Sequence, residues 1–472
     1  MLNYPAEVVF DEFHFGQFVQ SYFSHQYYFD IHPPLGKLMI FWFAKIFGFN
    51  GQMNFSGINS ALNSGGILIL RFLPALFGAF FVLLIYYLIL KMKLSKRAAF
   101  LGACLVLFDN AILAQSKFVL IDIFLLFFGF LSLYFLLCFK DSEGASGKSY
   151  CFLALAAISS SLSFSIKWTG LSFFAFVLLY VLIDAFKKFT RSNNFRGSQK
   201  LKSRRILFDW ANAKKIILNL IIITVFPFLV YYSPFVAHFN LLYKSGPGNA
   251  YMSAAFQQAL SEGNNKAGGP SMLDKFVELN QKMYFYNSTL KATHPYSSKW
   301  YQWPLDKRPI WYWTETVNNK IADIYLIGNP VVWWSVLFAI IFSVFILPSE
   351  FLRKKLPSVW DTPWVVLLLG YFLNLLPFIF ISRVAFLYHY LSSLVFGILI
   401  IAFLYDKIFS GKSTKSGRKN FWGFPSKTNL VWYLAYLSLV VLVFLLISPL
   451  TYGIPVSTGV SGYYNSFIRL FF

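Results

Sequence analysis

The sequence predicts an all-α polytopic membrane protein with about ten transmembrane helices and further amphipathic helices outside the membrane. Three observations carry this. The 472 residues are 57% hydrophobic and only 13% charged, with 57 Phe, a composition that would aggregate as a soluble domain. Apolar runs long enough to cross a bilayer lie at 67–90, 98–115, 118–139, 150–166, 169–186, 216–235, 330–347, 363–381, 385–404 and 430–448. Finally, the segments 91–97, 140–149, 187–215, 348–361 and 406–427 carry 25 of the 41 Lys and Arg in 82 residues, which marks them as cytoplasmic loops.

Taken in order, the chain opens with an acidic segment, Phe10-Asp11-Glu12-Phe13-His14-Phe15-Gly16. Phe15, Phe18, Val19, Tyr22 and Phe23 then follow helical spacing opposite Gln17, Gln20, Ser21 and Ser24, which predicts an amphipathic surface helix. His32-Pro33-Pro34 breaks the chain, and the short apolar run 38–49, interrupted by Lys45, suits an interfacial helix. Between the sixth and seventh spans, Ser245-Gly246-Pro247-Gly248 and Gly268-Gly269-Pro270 are turn chemistry. Leu273, Phe276, Val277, Met283 and Tyr284 predict a second surface helix, and the aromatic stretch 294–305 suits a membrane interface.

All six His fall on or near the extracytoplasmic side that the basic loops define. The net charge of +22 therefore reads as topology first and anionic-lipid contact second, and not as nucleic-acid binding. Cys104, Cys138 and Cys151 show no metal-ligand or disulfide spacing and read as packing residues. His14 and His32 stand near Asp11 and Glu12, but without a His-x-x-x-His or Asp-x-Asp pair no metal is expected. The matches Asn54-Phe55-Ser56 and Asn287-Ser288-Thr289 to the N-glycosylation pattern are too common by chance to weigh.

Asp11 and Glu12 are adjacent, so their side chains diverge and cannot easily share one task. Arg71 lies four residues inside the first apolar run, where a charge is costly unless paired or hydrated. Lys117, Lys167, Asp109, Gln115, Asp122 and Trp168 add polar or amphipathic groups at helix ends, and Arg383, Tyr388 and His389 stand at the external mouth of a later span. A base beside cations at a membrane surface is what transfer of a sugar from a lipid phosphate to a hydroxyl requires.

These motifs, with Asn329-Pro330-Val331-Val332-Trp333-Trp334 and Ser448-Pro449-Leu450-Thr451-Tyr452-Gly453, resemble the protein O-mannosyltransferases over nearly the whole chain. The resemblance implies the GT-C glycosyltransferase architecture and mannose transfer, with inversion, from polyprenyl (dolichyl) phosphate mannose to Ser or Thr hydroxyls of exported proteins. It implies Asp11 as general base, with Glu12 orienting the acceptor or pairing with a neighbouring Arg. Arg71, Lys117, Lys167, Arg383 and His389 are expected around the donor phosphate. His14, His32, Asp109, Gln115, Asp122, Trp168 and Tyr388 are expected to shape the site or meet the acceptor. Relatives commonly carry Arg where Lys117 stands.

No cofactor is expected, because the lipid-linked sugar is itself a substrate. The expected partners are that donor, secretory polypeptides, membrane lipids and the translocation machinery. Four units follow: 1–66 with the acidic motif and interfacial helices, 67–235 with the first bundle and catalytic cleft, the external loop 236–329, and the C-terminal bundle 330–472. The loop leaves no room for the β-trefoil of eukaryotic members, so the compact bacterial or archaeal type is expected. Relatives usually place a transmembrane helix ahead of the acidic motif, so an upstream hydrophobic segment is expected as well. A GT-C enzyme with a lipid or glycan acceptor is the nearest alternative. A transporter fits less well, because the intramembrane charges gather at one face.

Overall fold

The computed structural model describes residues 2–142, 146–197, 210–261, 269–290, 293–353, 363–381, 383–409 and 426–472. Every apolar run named above forms helix. The membrane helices are α3 (Ser64–Lys91), the pair α4 (Lys96–Leu107) and α5 (Asn110–Lys117), α6 (Asp122–Asp141), α7 (Ser146–Ile166), α8 (Leu171–Gly197), α9 (Trp210–Leu241), α12 (Pro330–Arg353), α13 (Pro363–Leu375), α14 (Leu391–Phe409) and α15 (Ser426–Tyr452). Surface helices are α1 (Glu12–Ser24), α2 (Leu35–Ile46), α10 (Ala254–Ser261), α11 (Met272–Thr289) and α16 (Thr458–Arg469). Among the described residues eight helices are long and apolar enough to cross a membrane, the α4–α5 pair brings this to nine, and Pro330–Phe345 is a shorter apolar helix.

The expected straight span 98–115 is corrected: α4 and α5 meet at 60°. Asp109 supplies the reason. It takes an extended backbone and caps α5 through a bond from the Ile112 amide (2.9 Å), so the polar pair Asp109-Asn110 starts a new helix inside an apolar run. The other Asp109 carboxylate oxygen accepts from the Asn329 amide (3.2 Å) and Trp333 Nε1 (2.8 Å), which fixes the start of α12 against the break. Asn110 donates to Thr451 Oγ1 (2.8 Å), tying in the end of α15. Three motifs far apart in sequence thus meet at one buried junction.

The all-α expectation is amended by a small sheet in the external region. Strands β1 (Ile310–Val317) and β2 (Lys320–Leu326) form an antiparallel hairpin, and β3 (Val456–Ser457) pairs with β2. The turn residues Asn318 and Asn319 both adopt left-handed φ, 49° and 62°, as a tight hairpin needs. The register runs from Ile310 opposite Leu326 to Val317 opposite Lys320, with an irregularity between Trp311 and Trp313. Through Tyr312 this strand reaches the acidic motif: the Phe10 amide donates to the Tyr312 carbonyl (3.1 Å), and the two rings stack at 4.1 Å.

The Ser245-Gly246-Pro247-Gly248 run performs a similar task on the other flank. Lys244 and Gly248 exchange main-chain bonds with His25 and Tyr27, at 2.9–3.0 Å. A Cβ on Gly246 or Gly248 would lie 2.4 or 2.3 Å from backbone atoms of Tyr27 or Phe29, so only glycine permits this approach. The extended segment leading to Asp30 is held in place by that contact. Cys104 and Cys138 are buried and Cys151 is exposed, which corrects the packing role expected for the last.

At the centre, the fully buried Arg71 and Glu12 form a bidentate pair, with Nε to Oε1 at 2.7 Å and Nη2 to Oε2 at 2.6 Å. The remaining three guanidinium donors bind the carbonyls of Leu2, Pro5 and Glu7 at 2.8–3.1 Å. Glu12 also accepts from the amides of Val9 (3.0 Å) and Val119 (2.9 Å). Arg71→Ala would leave a buried carboxylate and three carbonyls without their partner, so a loss of about 3–5 kcal/mol is expected. Arg71→Lys, with three donors instead of five, is expected to restore little of it. Thermal unfolding of the purified variants in detergent checks both, and an unchanged midpoint for Arg71→Ala would contradict this reading.

Candidate active site

Helix α1 begins with two carboxylates in different situations. Glu12 is spent inside the protein, as expected for the alternative in which it pairs with an Arg. Asp11 sits at the N-cap position, half-buried, yet its side chain makes no capping bond. Among the described residues its carboxylate has no hydrogen-bond or ion-pair partner. Its neighbours act through space: loss of hydration raises its pKa, Lys167 opposes this, and Asp122 and Asp30 raise it further, to about 7. The group is therefore balanced between acid and carboxylate near neutral pH.

Lys167 ends α7 in an extended conformation before a short 3-10 turn. This break aims its ammonium at Asp122 Oδ1 (3.0 Å), at the start of α6, and over the Tyr388 ring (4.7 Å). Tyr312 approaches from the sheet. Its hydroxyl accepts from Gln115 Nε2 (2.9 Å), and the negative charges of Asp11 and Asp122, after burial itself, hold its pKa well above the phenol range. Asp11, Asp122, Lys167, Tyr312 and Tyr388 thus form one polar cluster, drawn from five separate segments of the chain.

A second cluster adjoins it. His32 is half-buried and held well below the usual imidazole range, first by loss of hydration and then by Lys167, Arg383, Lys37 and His389, so it is neutral at pH 7. Lys37 is buried, paired with Asp30, and donates to the His32 carbonyl (2.8 Å). His389 turns Nδ1 to the Phe386 main chain and lies parallel to Trp303, 5.9 Å away. Arg383 lines a cleft of about 960 Å³ with His294, Ser298, Trp300, Trp303 and Phe378. It has no hydrogen-bond or ion-pair partner among the described residues, and the electrostatic reach of its guanidinium to His32 links the cleft to the Asp11 space.

Other expected residues are placed differently. Arg71 has all five donors engaged, which removes the expected phosphate contact. Asp109 is committed to the α5 cap and the α12 junction, so its carboxylate shapes the fold and not the polar space. Lys117 is buried between the Phe118 and Tyr452 rings, at 5.0 and 5.2 Å, and donates to the Tyr452 carbonyl (3.2 Å). Trp168 donates to Tyr231 (2.9 Å), whose hydroxyl donates to Asn280 (2.5 Å), so it anchors α11 to the bundle. His14 is exposed and packs on Phe13 and Phe18.

Asp30, Lys37 and Tyr312 were not among the expected site residues. Asp30 and Lys37 flank the His32-Pro33-Pro34 break, and a carboxylate seven residues before a lysine across a Pro-Pro turn is a usable signal. Tyr312 carried a weaker one, inside an aromatic strand whose hairpin the Asn318-Asn319 pair announces.

The helical scaffold with its site at one end defines a class, the membrane-spanning GT-C glycosyltransferase fold. The fold matches a chain of the S. cerevisiae protein O-mannosyltransferase Pmt1-Pmt2 complex bound to the sugar donor, with a TM-score of 0.82 at 20% identity over 98% of this chain and 88% of that one. The apo oligosaccharyltransferase of Archaeoglobus fulgidus matches with a TM-score of 0.51 at 14% identity, over 97% and 53% of the two chains.

Sequence fixes the family. Residues 1–243 match the dolichyl-phosphate-mannose-protein mannosyltransferase family, and residues 272–467 match the C-terminal four TMM region of protein-O-mannosyltransferase. The chain belongs to the protein O-mannosyltransferase family. Protein O-mannosyl-transferase 1 of Mus musculus is 33% identical over 267 residues, 56% of this chain and 34% of the relative. Dolichyl-phosphate-mannose-protein mannosyltransferase 6 of Saccharomyces cerevisiae is 32% identical over 293 residues, 61% and 36%. The matched region spans about a third of these relatives' length.

If Asp11 serves as the general base of a transfer reaction, it works only as the carboxylate, so the rate should rise with pH through about 7 and level off above it. Single-turnover rates between about pH 5.5 and 8.5 check this. Asp11→Asn is expected to lower the rate by about 10²–10⁴ and to remove the limb near pH 7. A wild-type limb that persists in Asp11→Asn would assign the base elsewhere.

Proposed function

We propose that this chain transfers mannose from polyprenyl-phosphate mannose to Ser or Thr hydroxyls of exported polypeptides. The observation that carries the proposal is the unpartnered Asp11 carboxylate, held near neutrality opposite Lys167 and one cluster away from the cleft-lining Arg383. Asp11 takes the proton of the acceptor hydroxyl as that oxygen bonds to the anomeric carbon. The bond from that carbon to the phosphate oxygen breaks, and the electron pair leaves on the lipid phosphate. Attack from the face opposite the phosphate inverts the anomeric centre.

Lys167 and Arg383 stabilise the departing charge, and the aromatic wall of the cleft receives the donor beside Arg383. The His32 and His389 rings add dipoles beside the site. Lys37 and Asp30 neutralise each other and hold the segment that carries His32. The reaction draws on no resident cofactor, because the phosphate ester already activates the sugar.

Sidedness supports an extracytoplasmic site. Asp122 starts α6, Lys167 ends α7 and Arg383 precedes α14, whereas the lysine-rich segments 91–97 and 140–149 lie at the opposite helix ends. The acceptor would arrive from outside, as it leaves the translocation machinery, and the donor lipid would lie in the membrane plane.

The deciding experiment incubates purified protein with labelled polyprenyl-phosphate mannose and a Ser/Thr-rich peptide, followed by mass spectrometry. Peptide heavier by one hexose supports the proposal. A labelled lipid or glycan with unmodified peptide would favour a different GT-C acceptor. Arg383→Ala is expected to raise the donor KM about tenfold or more, because a charge-assisted contact worth about 1.5–3 kcal/mol is lost. Unchanged donor kinetics in that variant would remove Arg383 from the phosphate site. Among the described residues no three His, Cys, Asp or Glu groups are placed to share an ion, so activity should survive prolonged EDTA treatment. Loss that a divalent cation reverses would contradict this.

A further inference from the structure

We propose a second lipid site, at the cytoplasmic end of the bundle, that takes one anionic glycerophospholipid with its phosphate on Lys91 and Lys93 and an acyl chain between the helices. A cavity of about 190 Å³ lies there, lined by Leu88, Leu136, Phe176, Leu367, Phe396 and Leu399 from five helices, α3, α6, α8, α13 and α14. Its walls are apolar throughout this depth, and Lys91, Lys93, Lys140 and Asp141 stand at its rim.

Among the described residues lining the cavity, three lysines stand beside one carboxylate. Asp141 is shared between Lys91 (2.9 Å) and Lys93 (3.0 Å), so one carboxylate serves two ammonium groups and a positive excess remains. Lys93 is 78% exposed and can swing to a headgroup, whereas Lys91 is 24% exposed and fixes the depth of the phosphate. A basic rim over an apolar slot between transmembrane helices is the arrangement that binds acidic headgroups on the cytoplasmic side. An acyl chain supplies what the apolar walls complement and a soluble anion does not.

The occupant is distinct from the glycosyl donor. Lys91 is twenty residues beyond Arg71 on α3, about 30 Å along the helix axis, which is the thickness of the hydrocarbon core. A lipid with its phosphate at the Asp11 end cannot place that phosphate here. The charge-rich loops beside the rim belong to the side that carries most Lys and Arg, where the leaflet is anionic. Filling the slot would brace α13 and α14, which flank the segment carrying Phe378 and Arg383 of the cleft, against α3 and α6.

The test titrates the purified chain in neutral detergent with phosphatidylglycerol, phosphatidylcholine or inorganic phosphate and follows thermal unfolding. Phosphatidylglycerol should raise the midpoint by about 3 °C, and the other two by less than about a third of that. The double change Lys91→Gln and Lys93→Gln removes the rim charge, and Leu136→Trp fills the slot; each should lose at least about half of the shift. An equal shift from phosphatidylcholine, or an undiminished shift in the lysine variant, overturns the proposal. A full shift from inorganic phosphate overturns the acyl-chain part and leaves an anion site. The lysine variant decides the matter if Leu136→Trp does not fold, since its positions lie at the rim and outside the packed core.

Discussion

The buried Arg71–Glu12 pair is the constraint on which the arrangement depends. A guanidinium inside a membrane bundle is tolerable only when every donor is used, and here five donors meet one carboxylate and three main-chain carbonyls. The result is more than neutralisation. The N-terminal segment is wrapped onto α3, and the Glu12 bonds to Val9 and Val119 fix the start of α1 against the turn that follows α5. Because Glu12 absorbs the cation, the adjacent carboxylate is left over, and divergence of neighbouring side chains points it into the polar space. Asp11 is available for proton transfer because Glu12 is not.

The remaining elements converge on that space by breaks in helices. Asp109 interrupts the second span between α4 and α5, Lys167 separates α7 from α8, and Arg383 precedes α14. Each break frees main chain at the same end of the bundle, where side chains can satisfy it, and each delivers a charged or capping residue there. The sheet then closes the site from above, with Tyr312 holding Phe10 through both its carbonyl and its ring. A membrane bundle of continuous helices would lack these entry points.

Much of the scaffold was legible in sequence because its cause is local. Apolar length gives the spans, 3.6-residue spacing gives α1 and α11, and Lys and Arg bias gives a sidedness consistent with the ends where the polar residues gather. The junction at Asp109 was less visible, since an apolar run conceals a cap unless Asp-Asn is weighed as a helix start. The hairpin was signalled by Asn318-Asn319 but masked by aromatic residues that also suit an interface. The resemblance gave Asp11 as the base and left Glu12 between orienting the acceptor and pairing with an Arg, and Arg71 was misassigned to the phosphate. Its partners are carbonyls more than sixty residues away, whose convergence only the folded chain reveals.

The site depends on which of two adjacent carboxyls exchanges a proton near neutrality. Infrared difference titration of the purified protein in lipid nanodiscs reads this directly, by subtracting Asp11→Asn from the unmodified chain. The expected result is one carboxyl band that converts to carboxylate at about pH 7 and is absent from the Asp11→Asn protein. Conversion at the ordinary pH of about 4, or a neutral-range band that survives Asp11→Asn and disappears in Glu12→Gln, would contradict it.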